Sequence, residues 1–313
     1  MNTSLAQLLN YYWLRPEIAL WRELDIRAMS RFEFTSPSLD LGCGDGMFSF
    51  LRAGGSVSNQ FDAFRVISNL DKFFENVDIY DAYEKNDDSS IVIVPPGYQI
   101  DVAFDHKENL LKKAIWLNLY SEFKVGDANQ SLPFPDESFN SLFSNIVYWL
   151  DDPESVLKEI VRILRPGGML CCMLPNRSLP DFSFYNQLYL KTGDQKWRFL
   201  EKLDRGRFSD NIRQVRSGEE WEFLFRNANL KVVNHNTYLS KTAIQIWDIG
   251  LRPLFPLLKK MADSISLKNY VDIKSEWIDT IRLFIEPIID MDEELGQGAE
   301  PAFHCYILEK ESS

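Results

Sequence analysis

One stretch constrains this chain more than any other: a short strand that runs directly into three glycines at alternate positions. Residues 38–41 begin a short buried strand, Gly42, Gly44 and Gly46 follow, and residues 47–52 resume a helical pattern. Glycine has no Cβ, so the backbone can turn sharply there and approach a ligand closely. A strand, a glycine turn and a helix in that order form the repeating unit of a parallel α/β sheet. Such sheets bind ligands outside the carboxyl ends of their strands. The dinucleotide fingerprint is G-x-G-x-x-G, whereas the spacing here is G-x-G-x-G, which weighs against a nicotinamide oxidoreductase.

The rest of the chain repeats that unit. Strands are predicted over residues 98–104, ending at Asp105, and over 123–125, 139–147, 169–174, 230–238 and 302–309. Helices are predicted over 108–120, after Asp152-Pro153 as N-cap and first helical position, and over 218–229. Residues 240–300 are mostly helical in pattern. Near the N-terminus Leu5, Leu8, Leu9, Tyr12 and Trp13 fall on one helical stripe, and Pro16 fits the first turn of a second helix. Residues 53–97 read as an insertion with little regular structure.

The formal net charge is −12. An acidic chain gains little from counterion release, so nucleic acid is not an expected partner. A local exception is Lys191, Lys196, Arg198, Lys202, Arg205, Arg207, Arg213 and Arg216, either a solvated face or a site for an anionic substrate group. No apolar run reaches the ~18–20 residues of a membrane span, and the N-terminus lacks the pattern of a signal peptide. A cytoplasmic protein is expected. The cysteines Cys43, Cys171, Cys172 and Cys305 show no C-x-x-C spacing, so no metal is expected and reduced thiols are.

Several ordered segments together resemble the class I S-adenosylmethionine-dependent methyltransferases, in particular the small-molecule group with a D-x-G-x-G-x-G loop. They are Leu39-Asp40-Leu41-Gly42-Cys43-Gly44-Asp45-Gly46, Asp105 at a strand end, Gly126-Asp127-Ala128, Leu132-Pro133-Phe134-Pro135-Asp136-Glu137-Ser138-Phe139 and Leu164-Arg165-Pro166-Gly167-Gly168. The resemblance implies a Rossmann-like, seven-stranded, mostly parallel sheet with helices on both faces, its last strand antiparallel, and an added helical cap. It implies S-adenosyl-L-methionine as cofactor. Gly42, Cys43, Gly44 and Gly46 would line the methionine and ribose part, and Asp40 would help hold the amino end. Asp105, with His106 beside it, would accept from the ribose hydroxyls, since a carboxylate offers two acceptor oxygens. Asp127 and Ala128 would meet the adenine. Ser144, Asn145 and Ile146 would border the methyl donor.

The family usually places its ribose acid about 20 residues after the glycine loop, the spacing also seen in dinucleotide folds. Asp105 comes about three times further on, because of the insertion. Asp71, Asp78 and Asp81 are alternatives; Asp105 is preferred because it ends an apolar strand and precedes a helix.

The implied arrangement has N-terminal helices at 1–37 as a lid and a cofactor-binding core at 38–176. The remainder of the sheet lies in 177–313, with helical additions at 177–216 and 240–300. A closed pocket of this kind suits a small-molecule acceptor. Methylation could fall on oxygen, nitrogen or carbon, in a monomer or homodimer. Tyr11, Tyr12, Tyr148, Trp149 and Arg177 are candidates for the substrate pocket. Alignment of donor and acceptor supplies much of such catalysis, and a base is needed only if the acceptor must lose a proton. His235 and His304 are the candidates for that base. The competing reading is a binding or partner protein that keeps the fold without catalysis.

Overall fold

The computed structural model describes residues 3–64, 91–198, 211–250 and 254–311. Among these residues the strands are β1 (Ser38–Leu41), β2 (Ser56–Val57), β3 (Val92–Val94), β4 (Ile100–Asp105), β5 (Tyr120–Val125), β6 (Phe139–Ser144), β7 (Leu164–Pro175), β8 (Leu230–Tyr238) and β9 (Phe303–Lys310). Seven of them form one sheet in the order β5-β4-β1-β6-β7-β9-β8. Neighbours from β5 to β7 pair in parallel, while β9 runs antiparallel to both β7 and β8. This is the expected Rossmann-like sheet. Its middle strand, β1, is buried at all four residues, as a parallel strand covered on both faces must be. Leu39 and Leu41 are fully buried, each contributing roughly 1.5–3 kcal/mol.

The chain leaves β1 towards β4 and β5 on one side and returns to β6 and β7 on the other. The carboxyl ends of β1, β4 and β6 therefore diverge at a topological switch point, where a crevice forms.

Helices cover both faces. Among the described residues the α-helices are, in chain order, α1 (Thr3–Tyr11), α2 (Pro16–Ala28), α3 (Met47–Arg52), α4 (Glu108–Ala114), α5 (Pro153–Ile163), α6 (Leu179–Phe182), α7 (Phe184–Thr192), α8 (Gly218–Asn227), α9 (Lys241–Ile249), α10 (Phe255–Asp263) and α11 (Leu267–Gly296). Asp152 caps α5 by accepting from the Glu154 N–H, with Pro153 at the first position as predicted. Ser217 and Glu220 close a capping box on α8. α1, α2, α9 and α11 pack on one another as a cap. The Trp277 indole donates to the Trp13 carbonyl at 2.7 Å, and Arg27 pairs with Asp290 at 2.8 Å, so α11 is tied to the N-terminal segment.

Several elements differ from the sequence reading. The helix predicted over 108–120 stops at Ala114 and passes through a 3₁₀ turn, Ile115–Leu117. Asn118 then takes a left-handed φ of 52°, and Tyr120 already belongs to β5. The strand predicted over 139–147 ends at Ser144, because Val147–Trp149 coil into a 3₁₀ turn. Within β7 the Pro166-Gly167-Gly168 segment is a bulge: Leu164 faces Phe139 but Met169 faces Ser141. The ends of the predicted insertion return as an antiparallel pair, β2 with β3. Asp71, Asp78 and Asp81, like Lys202, Arg205 and Arg207, lie outside the described residues.

Candidate active site

Gly42, Gly44 and Gly46 all take left-handed φ values, of 83°, 59° and 73°. The loop hangs from β4: the Gly42 and Cys43 N–H groups both donate to the Phe104 carbonyl, at 2.8 and 3.2 Å. A Cβ on Gly42 would lie 2.6 Å from the Ile146 side chain, whereas one on Gly44 would meet nothing within 4 Å. Gly42 is thus a packing glycine, and Gly44 faces open space.

That space is a cavity of about 590 Å³, inside the range of small-molecule and cofactor sites, about 300–1,000 Å³. One end is walled by the loop residues Gly42, Cys43, Gly44 and Asp45, by Asp105, His106 and Lys107, and by Gly126, Asp127, Ala128 and Asn129. Asp105 is nearly buried. Its Oδ2 accepts from the Gly44 N–H at 2.9 Å and its Oδ1 from the Lys107 N–H at 2.9 Å. Two carboxylate oxygens carry about four acceptor sites, so this clamp leaves capacity for a vicinal diol. His106 Nδ1 stands 3.4 Å from Asp105. Asp127 is exposed and its Oδ1 accepts from both nitrogens of Asn129, while Ala128 is buried against the same wall. This set of acceptors, with the open side of Gly44, suits a ligand that brings hydroxyl and amino donors to one wall of the cavity.

Two residues of the predicted loop do not reach the cavity. Asp40 lies beneath it, where its Oδ2 accepts from the Ser49 and Tyr120 hydroxyls at 2.6 Å each. Burial pushes the Asp40 carboxyl up to about 6, opposed by those two hydroxyls. Gly46 is pressed against Tyr120, 2.8 Å from where its Cβ would sit. Both therefore support the loop from below.

The other end of the cavity is built by the cap. Tyr12, Arg15, Ile18, Trp21 and Arg22 line it from the α2 side, Phe48 from α3, and Trp247 from α9. Asn145, Ile146, Tyr148, Trp149, Leu150 and Asn211 close it below. Of the predicted pocket residues, Tyr12, Tyr148 and Trp149 are brought together here. Tyr11 is set back and donates to Asp45 at 2.7 Å, which docks α1 on the glycine loop. Arg177 is exposed, pairs with Glu220 and does not line the cavity. Ser144 is buried behind Asn145.

His235 and His304 are corrected as candidate bases. Their rings contact each other, His235 Nε2 to His304 Nδ1, at 2.9 Å, and His235 stacks on Tyr306 with ring centroids 4.1 Å apart. Strand alternation is the reason. Phe303 of β9 faces the cap, against Trp21 and Tyr148, so His304 must face the other way, towards Gly218 of α8. Neither histidine lines the cavity.

Sequence reasoning missed Arg15 and Arg22. Both carry their acids outside the cavity. Arg15 donates to buried Glu17 at 2.8 Å, and Arg22 donates to buried Asp25 at 2.9 Å. Burial alone would lower the Arg22 pKa, but Asp25, with Tyr12 and Tyr148, holds it above the usual guanidinium range. The available signal was spacing: 15, 18 and 22 share one helical face with the aromatic Trp21 beside it.

A family model described as a methyltransferase domain matches residues 97–172. The chain is 27% identical over 133 residues to a ubiquinone/menaquinone biosynthesis C-methyltransferase of Desulfotalea psychrophila, covering 41% of this chain and 54% of that one. It is 40% identical over 78 residues to a malonyl-[acyl-carrier protein] O-methyltransferase of Hahella chejuensis, covering 25% and 24%. The chain spans about half or less of the length of these curated relatives. Among solved structures, an S-adenosylmethionine dependent methyltransferase from Mesorhizobium loti is similar at 11% identity and a TM-score of 0.44, covering 91% of this chain and 95% of that one.

Proposed function

We propose, from the match of residues 97–172 to a methyltransferase domain and from the cavity described above, that this chain is a class I S-adenosylmethionine-dependent methyltransferase and transfers a methyl group from S-adenosylmethionine to a small-molecule acceptor held under the helical cap. One observation carries this reading. The glycine loop, the two strand-end carboxylates Asp105 and Asp127, and the aromatic cap open onto a single cavity.

The cofactor, when bound, supplies an electrophilic methyl on a sulfonium. Every other part of the task falls to the protein. Gly44 keeps the backbone close to the ligand, and Asp105 accepts from a diol while anchored by the Gly44 and Lys107 amides. Asp127 and Ala128 flank a purine. Tyr12, Trp21, Phe48 and Trp247 exclude water from the acceptor end and align what binds there. The relatives' names cover methylation of carbon and of oxygen, so the cap residues rather than the loop choose the acceptor atom.

The test is release of S-adenosylhomocysteine from S-adenosylmethionine on addition of fractionated metabolite extracts. At least one fraction should stimulate release by the wild type and not by Asp105→Ala. No stimulation by any fraction, with the protein shown to be folded, would count against the reading.

A further inference from the structure

The acceptor end of the cavity combines three features. It is walled by flat rings: Trp21 and Trp247 meet edge to face at 5.1 Å between centroids, and Phe48 stacks on Phe143 at 5.7 Å. It presents a fixed cation, since Arg22 lies with its guanidinium carbon 5.2 Å over the Phe48 ring and is held there by Asp25, which does not line the cavity. It contains no imidazole to act as base. Of the three histidines, His106 sits beside Asp105 at the other end, and His235 and His304 face α8.

Resting on the methyltransferase reading, we infer that the acceptor is a planar aromatic molecule that enters already negatively charged, as a carboxylate or phenolate, with its anionic group at Arg22 between the aromatic walls. A planar guanidinium fork matches a carboxylate and is weakly hydrated, which suits a partly buried contact. Flat rings on several sides select a flat ligand at low entropic cost. An anionic acceptor also removes the need for a base. Its lone pair forms the new bond to the methyl carbon, the carbon–sulfur bonding pair stays on sulfur, and no proton moves. The negative charge of the acceptor and the positive charge of the sulfonium cancel, a change favoured in a water-poor pocket.

The experiment is calorimetric titration of the full chain, with S-adenosylhomocysteine present, using 2-hydroxybenzoate, its neutral amide and cyclohexanecarboxylate as probes. The expected result is that 2-hydroxybenzoate binds about ten-fold or more tightly than its amide, the magnitude of one charge-assisted hydrogen bond, and also more tightly than cyclohexanecarboxylate, which keeps the charge but loses the flat ring. Arg22→Gln should abolish the preference over the amide while still binding S-adenosylhomocysteine. Equal binding of acid and amide by the wild type would overturn the inference, as would equal binding of the planar and puckered carboxylates, or an Arg22→Gln protein that keeps the preference. Should Arg22→Gln not fold, the three wild-type titrations decide alone. Absence of S-adenosylhomocysteine binding to the wild type is a different failure, that of the methyltransferase reading itself.

Discussion

Burial pushes the Asp40 carboxyl up to about 6, so between about pH 4 and 6 the folded state holds a proton that the unfolded state has released. The sign follows: this group's contribution to stability falls as pH rises through that window, by about 3 kcal/mol in total. Asp40→Asn is neutral throughout and keeps an oxygen for Ser49 and Tyr120. Urea unfolding at pH 4 and pH 7 should therefore show the variant gaining on the wild type at the higher pH. Parallel curves would mean that Asp40 is ionised without penalty. The loop glycines separate stability from binding in a similar way. Gly42→Ala combines a φ of 83° with a contact at 2.6 Å and should cost about 2–4 kcal/mol. Gly44→Ala, at φ 59° with nothing within 4 Å, should cost only about 1–2 kcal/mol of strain. It should weaken S-adenosylhomocysteine binding out of proportion to that loss, because its methyl group enters the ligand space.

Among the elements, the β8–β9 pair carries the opposite pH dependence. Burial, and then the neighbouring His235, push His304 down to about 4. A depressed histidine contributes stability that is present above about 6.5 and lost as pH falls towards 4, about 3 kcal/mol in all. His304→Phe should flatten the acid limb of the stability profile without changing ligand affinity, since the ring faces α8; an altered affinity would place the pair in the site after all. The elements also show what a sequence can reveal. β1 and β8 fall on the residues predicted for them, because β1 is framed by the glycine turn and β8 alternates as an edge strand should. The 108–120 helix was overrun because Trp116, Leu117, Leu119 and Tyr120 are all apolar and mask the change of period. Asn118, an acceptable residue for the left-handed position, was the stop signal. The sequence alone does not set the histidines apart from the cavity, because a strand's side chains alternate and the sequence does not say which face meets it. In the candidate site, Asp105, Gly42, Gly44 and Asp127 can be placed on one wall from the sequence because each follows or ends a strand. Arg15 and Arg22 cannot, because only the packing of α2 over strands far away in sequence gives their cationic ends a cavity to face.

For the whole molecule, the cap and the sheet make one pocket between them, and ligand binding should stabilise both together. S-adenosylhomocysteine at a hundred times its dissociation constant should raise the unfolding free energy by about 2.7 kcal/mol, measured as a concentration-dependent rise in melting temperature. The central claim is that the glycine loop and the strand-end acids hold S-adenosylmethionine, and calorimetric titration with S-adenosylhomocysteine of the wild type and of Asp105→Ala tests it most directly. One-to-one binding by the wild type, with a large loss of affinity in a folded Asp105→Ala, is the predicted result. A folded wild type that gives no heat, or an Asp105→Ala protein that binds equally well, would contradict it.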